Sequence, residues 1–303
     1  MVEIGRLITA MVTPFDAAGA VDYPRAEELA EALVASGSDG LVLAGTTGES
    51  PTLSDEEKLE LFRRVKALLG DRAAVIANTG NYNTRESIEL TKATEQTGVD
   101  AILLVVPYYN RPPQEGLYQH FKAIAGATRL PCILYNVPSR TVASLAPETV
   151  LRLREAPNIV GVKEASGNLE QIGRIIRDCG PGFRVWSGND SDTLPILALG
   201  GYGIISVASH LVGRQIKQMI EAYVAGRTDE AARLHLHLLP LFGILFVVAN
   251  PIPVKHAVNH AGFSVGAPRL PLVPPDEASA RKIEETLAQY QIDLPVPAVR
   301  AAR

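Results

Sequence analysis

Between its N-terminus and about residue 210, the chain repeats one pattern eight times: a short uninterrupted apolar run, a polar or glycine-rich turn, then a stretch with helical spacing. The runs fall at 7–12, 40–44, 73–77, 101–106, 132–135, 159–163, 184–186 and 203–207. A strand with one face in water alternates apolar and polar residues, so a continuous run marks a strand buried on both faces, as in a parallel sheet covered by helices. The helices carry their own end signals. Ser54 and Glu57 have capping-box spacing ahead of Leu59, Leu61, Phe62, Val65 and Leu68, and Gly70 closes that helix. Asn83 with Glu86 repeats the device, and Pro24 and Pro147 stand where a first turn tolerates proline. Eight such units predict a (β/α)8 TIM barrel over residues 1–226. The competing open doubly wound sheet would need a dinucleotide turn of the form G-x-G-x-x-G, and the chain has none.

Past Arg227 the pattern becomes helix only: 230–239, a break near Pro240, a very apolar segment to 248, then 253–260 and 277–291. This predicts a C-terminal helical extension, residues 227–303. Its apolar excess fits a subunit contact or plain burial against the barrel.

Charge narrows the partners. Twenty-nine basic against 33 acidic residues give a net charge of −4. There is no basic block or basic helix face, so neither nucleic acid nor a membrane surface is the expected partner and a small molecule is. The longest apolar stretch, 238–249, holds Pro240 and Gly243 and falls short of the roughly 20 residues that span a bilayer. Cys132 and Cys179 match neither a disulfide framework nor metal-ligand spacing and read as buried thiols in a reducing compartment. With no basic-then-apolar leader at the N-terminus, the expected location is cytoplasmic.

One residue breaks the apolar grammar. Lys163 ends the run Ile159-Val160-Gly161-Val162-Lys163, where another Val or Ile belongs. Burying an ammonium without a partner costs several kcal/mol, and a buried lysine that sheds its proton becomes a nucleophilic amine of the Schiff-base kind. Alternatively, such a lysine reaches water along its own stem. Position favours chemistry, because active sites of these barrels gather at the C-terminal ends of the strands. Thr46 and Thr47 follow the second run, Tyr108 and Tyr109 the fourth, Tyr135 ends the fifth, and Gly188-Asn189-Asp190 follows the seventh. Gly45-Thr46-Thr47-Gly48 is a cradle for a carboxylate or a plain capped turn. Tyr135 is a proton shuttle or a half-buried aromatic. Arg140 has a fork suited to a carboxylate, if it is not a surface arginine of a loop. Tyr108 reads equally well as packing. His210, His235, His237, His256 and His260 lack metal spacing and read as structural, His120 stays open as a residue behind the site, and Trp186 reads as core.

The ordered motifs Gly-Thr-Thr-Gly-Glu-Ser (45–50), Pro-Tyr-Tyr-Asn-Arg-Pro (107–112), Tyr-Asn-Val-Pro-Ser-Arg-Thr (135–141), Gly-Val-Lys-Glu-Ala (161–165) and Asn-Pro-Ile-Pro-Val-Lys (250–255) make the chain resemble the dihydrodipicolinate synthase and N-acetylneuraminate lyase family of class I aldolases, from Gly5 to about Gly262. The resemblance implies that Lys163 forms an imine with pyruvate and that Tyr135 relays protons with Thr46 and Tyr109. It implies that Tyr109 is lent by a neighbouring subunit of a homodimer or homotetramer. Thr47 and the backbone of Ile205 would hold the pyruvate carboxylate, and Arg140 the carboxylate of a second substrate, L-aspartate 4-semialdehyde. No metal and no organic cofactor is implied, since the protonated imine is itself the electron sink. Sialic acid lyases and 2-keto-3-deoxy sugar acid aldolases share the lysine and tyrosine, and Arg140 separates this chain from them. A catalytically silent keto-acid-binding regulator would have lost Lys163 or Tyr135.

The resemblance also implies a lysine-binding cleft near a subunit interface, which Glu86 and Tyr108 fit. Strongly inhibited members carry histidines where this chain has Asp55 and Lys58, and asparagine where it has Tyr82. A cation at Lys58 repels an incoming ammonium, so inhibition by lysine is expected to be weak or absent. Half-inhibition by submillimolar lysine in a turnover assay would refute this.

Overall fold

The computed structural model describes residues 3–296. Eight parallel strands close into one barrel: β1 (Leu7–Ala10), β2 (Gly40–Leu43), β3 (Ala74–Asn78), β4 (Ala101–Val105), β5 (Cys132–Asn136), β6 (Ile159–Glu164), β7 (Arg184–Ser187) and β8 (Gly203–Ser206). Each coincides with one of the eight apolar runs, with ends shifted by one or two residues. Sequential strands are neighbours throughout, and β8 returns to β1 with Ile8 opposite Ile205. Alternate side chains point to opposite faces of a strand, which makes two apolar layers. Ile8, Val42, Ile76, Leu103, Ile133 and Ile205 fill the barrel interior. Leu41, Val75, Leu104, Leu134 and Val162 face the surrounding helices. That double burial is why the runs are continuous.

The helix termini follow the sequence signals with one exception. Ser54 Oγ accepts from the Glu57 N–H, and Glu57 Oε2 accepts from the Ser54 N–H, a complete capping box on the helix Asp55–Leu69. Asn83 does cap the helix Thr84–Glu95, accepting from the Arg85 N–H at 3.0 Å. Glu86 does not return the contact, however. The Asn83 N–H is taken by Asn81 Oδ1, and the Glu86 carboxylate accepts instead from the side-chain amides of Asn81 and Asn83.

The C-terminal region corrects two expectations. Pro240 does not end a helix: Thr228–Ile244 is continuous through it. Proline removes an N–H and frees the carbonyl four residues earlier, a loss that water makes good where the helix faces solvent. Pro240 and Leu236, the residue whose carbonyl is freed, both lie on the exposed side. Helices Ile252–His260 and Glu277–Leu287 follow, the latter shorter than the 277–291 expected. Residues 297–303 lie outside the described residues. Leu238, Leu241, Phe242, Val254 and Ile283 join Leu29, Phe62, Leu211 and Ile216 in a single apolar cluster.

A buried ion pair fastens this region to the barrel mouth. Lys255 and Glu49 have 1% and 0% of their side chains exposed, with Nζ 2.8 Å from Oε1. Lys255 also donates to the carbonyls of Thr13 and Ala267 and lies 4.1 Å from the centre of the Phe15 ring. Burial lowers the Lys255 ammonium from its ordinary range, and the Glu49 carboxylate opposes that shift. The other Glu49 oxygen takes the Arg269 N–H at 2.8 Å, while the Arg269 guanidinium grips Glu57 with two nitrogens. Removing one partner of such a pair strands a buried charge. Lys255→Met should therefore cost about 3–5 kcal/mol, and Glu49→Leu added to it should restore most of the loss. Denaturant titration of both variants checks this; equal stability of Lys255→Met and the wild type would refute it.

Candidate active site

The site forms where β5, β6 and β7 end together. Strand register puts Val105, Tyr135, Lys163 and Trp186 side by side across four strands. Lys163 is 5% exposed, and its Nζ stands 4.4 Å from the centre of the Tyr135 ring. The floor beneath it depends on a glycine. Gly161 lies two residues before Lys163 on the same face of β6, and a Cβ there would come 2.1 Å from the Arg184 carbonyl oxygen and 2.7 Å from the Trp186 ring. With no side chain at 161, the Trp186 indole closes the barrel below the lysine. Its Nε1 donates to the Gly5 carbonyl at 3.0 Å.

The opposite face of the same two strands braces the mouth. Asn136 and Glu164, one residue beyond Tyr135 and Lys163, are paired in register and fully buried. Asn136 Nδ2 donates to both Glu164 oxygens at 3.1 and 3.0 Å, and its Oδ1 accepts from the Leu145 N–H. Burial pushes the Glu164 carboxyl up, against the pull of the Ser166 and Asn136 donors. Just after β7, Asp190 is also buried; it accepts from the Ser206 hydroxyl and from the N–H groups of Val207 and Ala208. Its carboxyl is raised by burial, while those donors and the nearby Lys163 charge pull it down. This fastens the loop after β7 to the backbone next to Ile205.

The loop after β2 presents Thr46 and Thr47. Ala44 and Glu49 at its ends adopt positive φ of 49° and 57°, and a Cβ on Gly48 would meet the Ala44 backbone at 3.0 Å. Thr46 borders a cavity of about 200 Å³ together with Ser50, Asn78, Val105, Tyr108 and Arg140. Thr47 is buried, its hydroxyl accepting from Asn250 Nδ2 at 2.9 Å. Arg140, on the one-turn helix Pro138–Thr141, reaches the same residue and donates to the Asn250 carbonyl at 3.1 Å. Lys163 and Tyr135 are thus side by side near the ends of β6 and β5, Thr46 and Arg140 share the cavity wall, Thr47 and Arg140 meet at Asn250, and Ile205 lies on β8.

Tyr109 does not join them. It is 93% exposed with φ of 74°, its neighbour Arg111 has φ of 48°, and the ring stands clear of its own site. Tyr108 faces the cavity and packs edge-on against Tyr82 at 5.1 Å. Lys58 forms an ion pair with Asp55 at 3.1 Å, which softens the repulsion argued above for an incoming ammonium.

His210 is structural: Nε2 accepts from the Val12 N–H and Nδ1 donates to the Val207 carbonyl, and burial lowers the ring to about 4. His120 pairs with the Thr84 hydroxyl, away from the cavity-lining residues. His256 meets Glu284. Burial raises the two free thiols, Cys132 to about 12 and Cys179 to about 11.

Sequence reasoning passed over Asn136, Glu164, Asn250, Lys255 and Glu49 as individuals. Asn136 and Glu164 are polar residues ending apolar runs, the same anomaly that marked Lys163, whereas Glu49, Asn250 and Lys255 lie in a polar loop, a turn and a helix, where no local signal sets them apart.

Sequence comparison matches the Dihydrodipicolinate synthetase family over residues 3–290. A 4-hydroxy-tetrahydrodipicolinate synthase from Dehalococcoides mccartyi is 62% identical over 98% of this chain and all of its own length. The dihydrodipicolinate synthase of Bacillus anthracis superposes with a TM-score of 0.93 at 45% identity, covering 95% of this chain and 99% of its own. That of Cyanidioschyzon merolae, solved with lysine bound, gives 0.93 at 49%, covering 94% and 98%.

The Gly161 floor is open to test. A methyl group there must displace strand backbone, so Gly161→Ala should cost about 1–3 kcal/mol and also lower turnover by shifting Lys163. A variant of unchanged stability and activity would show that the contact has slack.

Proposed function

We infer the reaction from one premise: the chain belongs to the dihydrodipicolinate synthetase family. It condenses pyruvate with L-aspartate 4-semialdehyde to 4-hydroxy-tetrahydrodipicolinate, a lyase-class aldol reaction of lysine biosynthesis. The observation that carries the mechanism is Lys163, buried at the end of β6 against the Tyr135 ring and above the Trp186 floor. Its amine attacks C2 of pyruvate; loss of water from the carbinolamine leaves an imine. Loss of a C3 proton gives the enamine, and C3 then forms the new bond to the aldehyde carbon. The amino group of the second substrate attacks C2 and expels the lysine, closing the ring and restoring the enzyme.

Tyr135 carries protons in these steps, and Thr46, at the cavity wall, relays them. Thr47 and the Ile205 backbone hold the pyruvate carboxylate. Arg140 takes the carboxylate of the second substrate; its place on the cavity rim supports this, and the relatives' names favour this condensation over sialate cleavage. Tyr109 completes the relay from a second copy in a dimer or tetramer, a reading supported by its outward projection on a strained loop. We place the reaction in the cytoplasm, which suits two unpaired buried thiols. Among the described residues no helix is long and apolar enough to cross a membrane.

Borohydride reduction in the presence of pyruvate should add a reduced three-carbon adduct to the peptide holding Lys163, and turnover should be measurable with pyruvate and aspartate semialdehyde together. An adduct on another residue, or sialate cleavage without condensation, would overturn the reading.

A further inference from the structure

Thr47 and Arg140 come from loops on different strands, yet both end on one residue of the C-terminal segment. Asn250 is 5% exposed, donates through Nδ2 to Thr47 Oγ1 at 2.9 Å, and accepts from Arg140 Nη2 on its backbone carbonyl at 3.1 Å. Its own amide oxygen is buried, and among the described residues it has no partner. An apolar residue of the same size would avoid leaving that atom unsatisfied, so packing alone does not account for an asparagine here.

The direction of the first hydrogen bond matters. A hydroxyl has one proton and two lone pairs. Accepting from Asn250 uses a lone pair of Thr47 and leaves its proton free, and among the described residues no acceptor takes it. The buried Thr47 hydroxyl is thereby held as a donor, which is what an anionic carboxylate requires. An acidic side chain at 250 would reverse the polarity, because Thr47 would then spend its proton on the protein. The contact is clamped from both sides: Glu49, two residues after Thr47, is paired with Lys255, five residues after Asn250.

We propose that Asn250 is a positioning residue that sets the Thr47 hydroxyl as a donor toward the pyruvate carboxylate while its carbonyl anchors Arg140. One residue of the helical extension thus fixes the spacing between the two carboxylate-recognising groups. This rests on the roles given to Thr47 and Arg140 above.

The test is steady-state kinetics of the full chain. Asn250→Leu, neutral and of similar size, should raise KM for pyruvate about tenfold with a much smaller change in kcat, as expected when ground-state binding is lost. Borohydride with saturating pyruvate should still label Lys163. Asn250→Asp should do the same and keeps the test available if the leucine variant folds poorly. Thr47→Val alone should raise KM for pyruvate to a similar extent, and combining it with either change at 250 should add little further. A KM within twofold of wild type in both Asn250 variants overturns the proposal. So do effects of Thr47→Val and the Asn250 changes that multiply, because Asn250 then acts independently of Thr47. If Thr47→Val by itself leaves KM unchanged, the assignment of Thr47 falls, and this inference falls with it, while an intact Lys163 adduct leaves the imine chemistry standing.

Discussion

Behind the threonine loop, a lysine and a glutamate out of reach of water meet at 2.8 Å, and the order of the barrel mouth depends on that contact. Neither charge could stay in that interior without the other. Because they come from opposite ends of the sequence, the pair forces the segment after Asn250 against the loop after β2. Thr13, Phe15 and Ala267 are drawn in as further partners, and Arg269 extends the charge chain to Glu57 at the start of the second helix. A buried pair is weak grounds for net stability, since apolar side chains of similar volume can serve as well. What it supplies is a unique register between two parts of the chain that share no strand.

The strain in the backbone follows the same geography. The described non-glycine residues with positive φ are Ala44, Glu49, Tyr109, Arg111 and Val142, and all lie in the loops after β2, β4 and β5. Left-handed conformations cost free energy for side chains with a Cβ, most of all for a β-branched valine. They persist where surrounding contacts over-determine the path, as the Asn136–Glu164 brace and the Thr141 hydroxyl bonds do around Val142. None of these five residues lies in a barrel strand; the left-handed backbone is kept in the loops that present polar groups.

The barrel was legible in the sequence because parallel strands buried on both faces leave an unmistakable run of apolar residues, and the eight runs map onto eight strands. Lys163 was legible as an interruption of such a run. Lys255 is the more deeply buried of the two and was not, because a lysine in a helix is ordinarily solvated and nothing local reveals that a glutamate 206 positions away will meet it. The role of Asn250 is hidden for the same reason: its partners belong to two other loops. Pro240 misled because helix-breaking is a property of exposure as much as of residue type. The Asn83–Glu86 spacing misled because Asn81, two residues upstream, competes for the same N–H.

Trp186 is the only tryptophan in the chain, and it lies at the closed end of the barrel beneath Lys163, with the Tyr202 ring edge-on at 5.4 Å. All indole emission from this protein therefore originates below the lysine. The molecule contains a native optical reporter at the depth of its chemistry, and no label has to be introduced to observe what happens there.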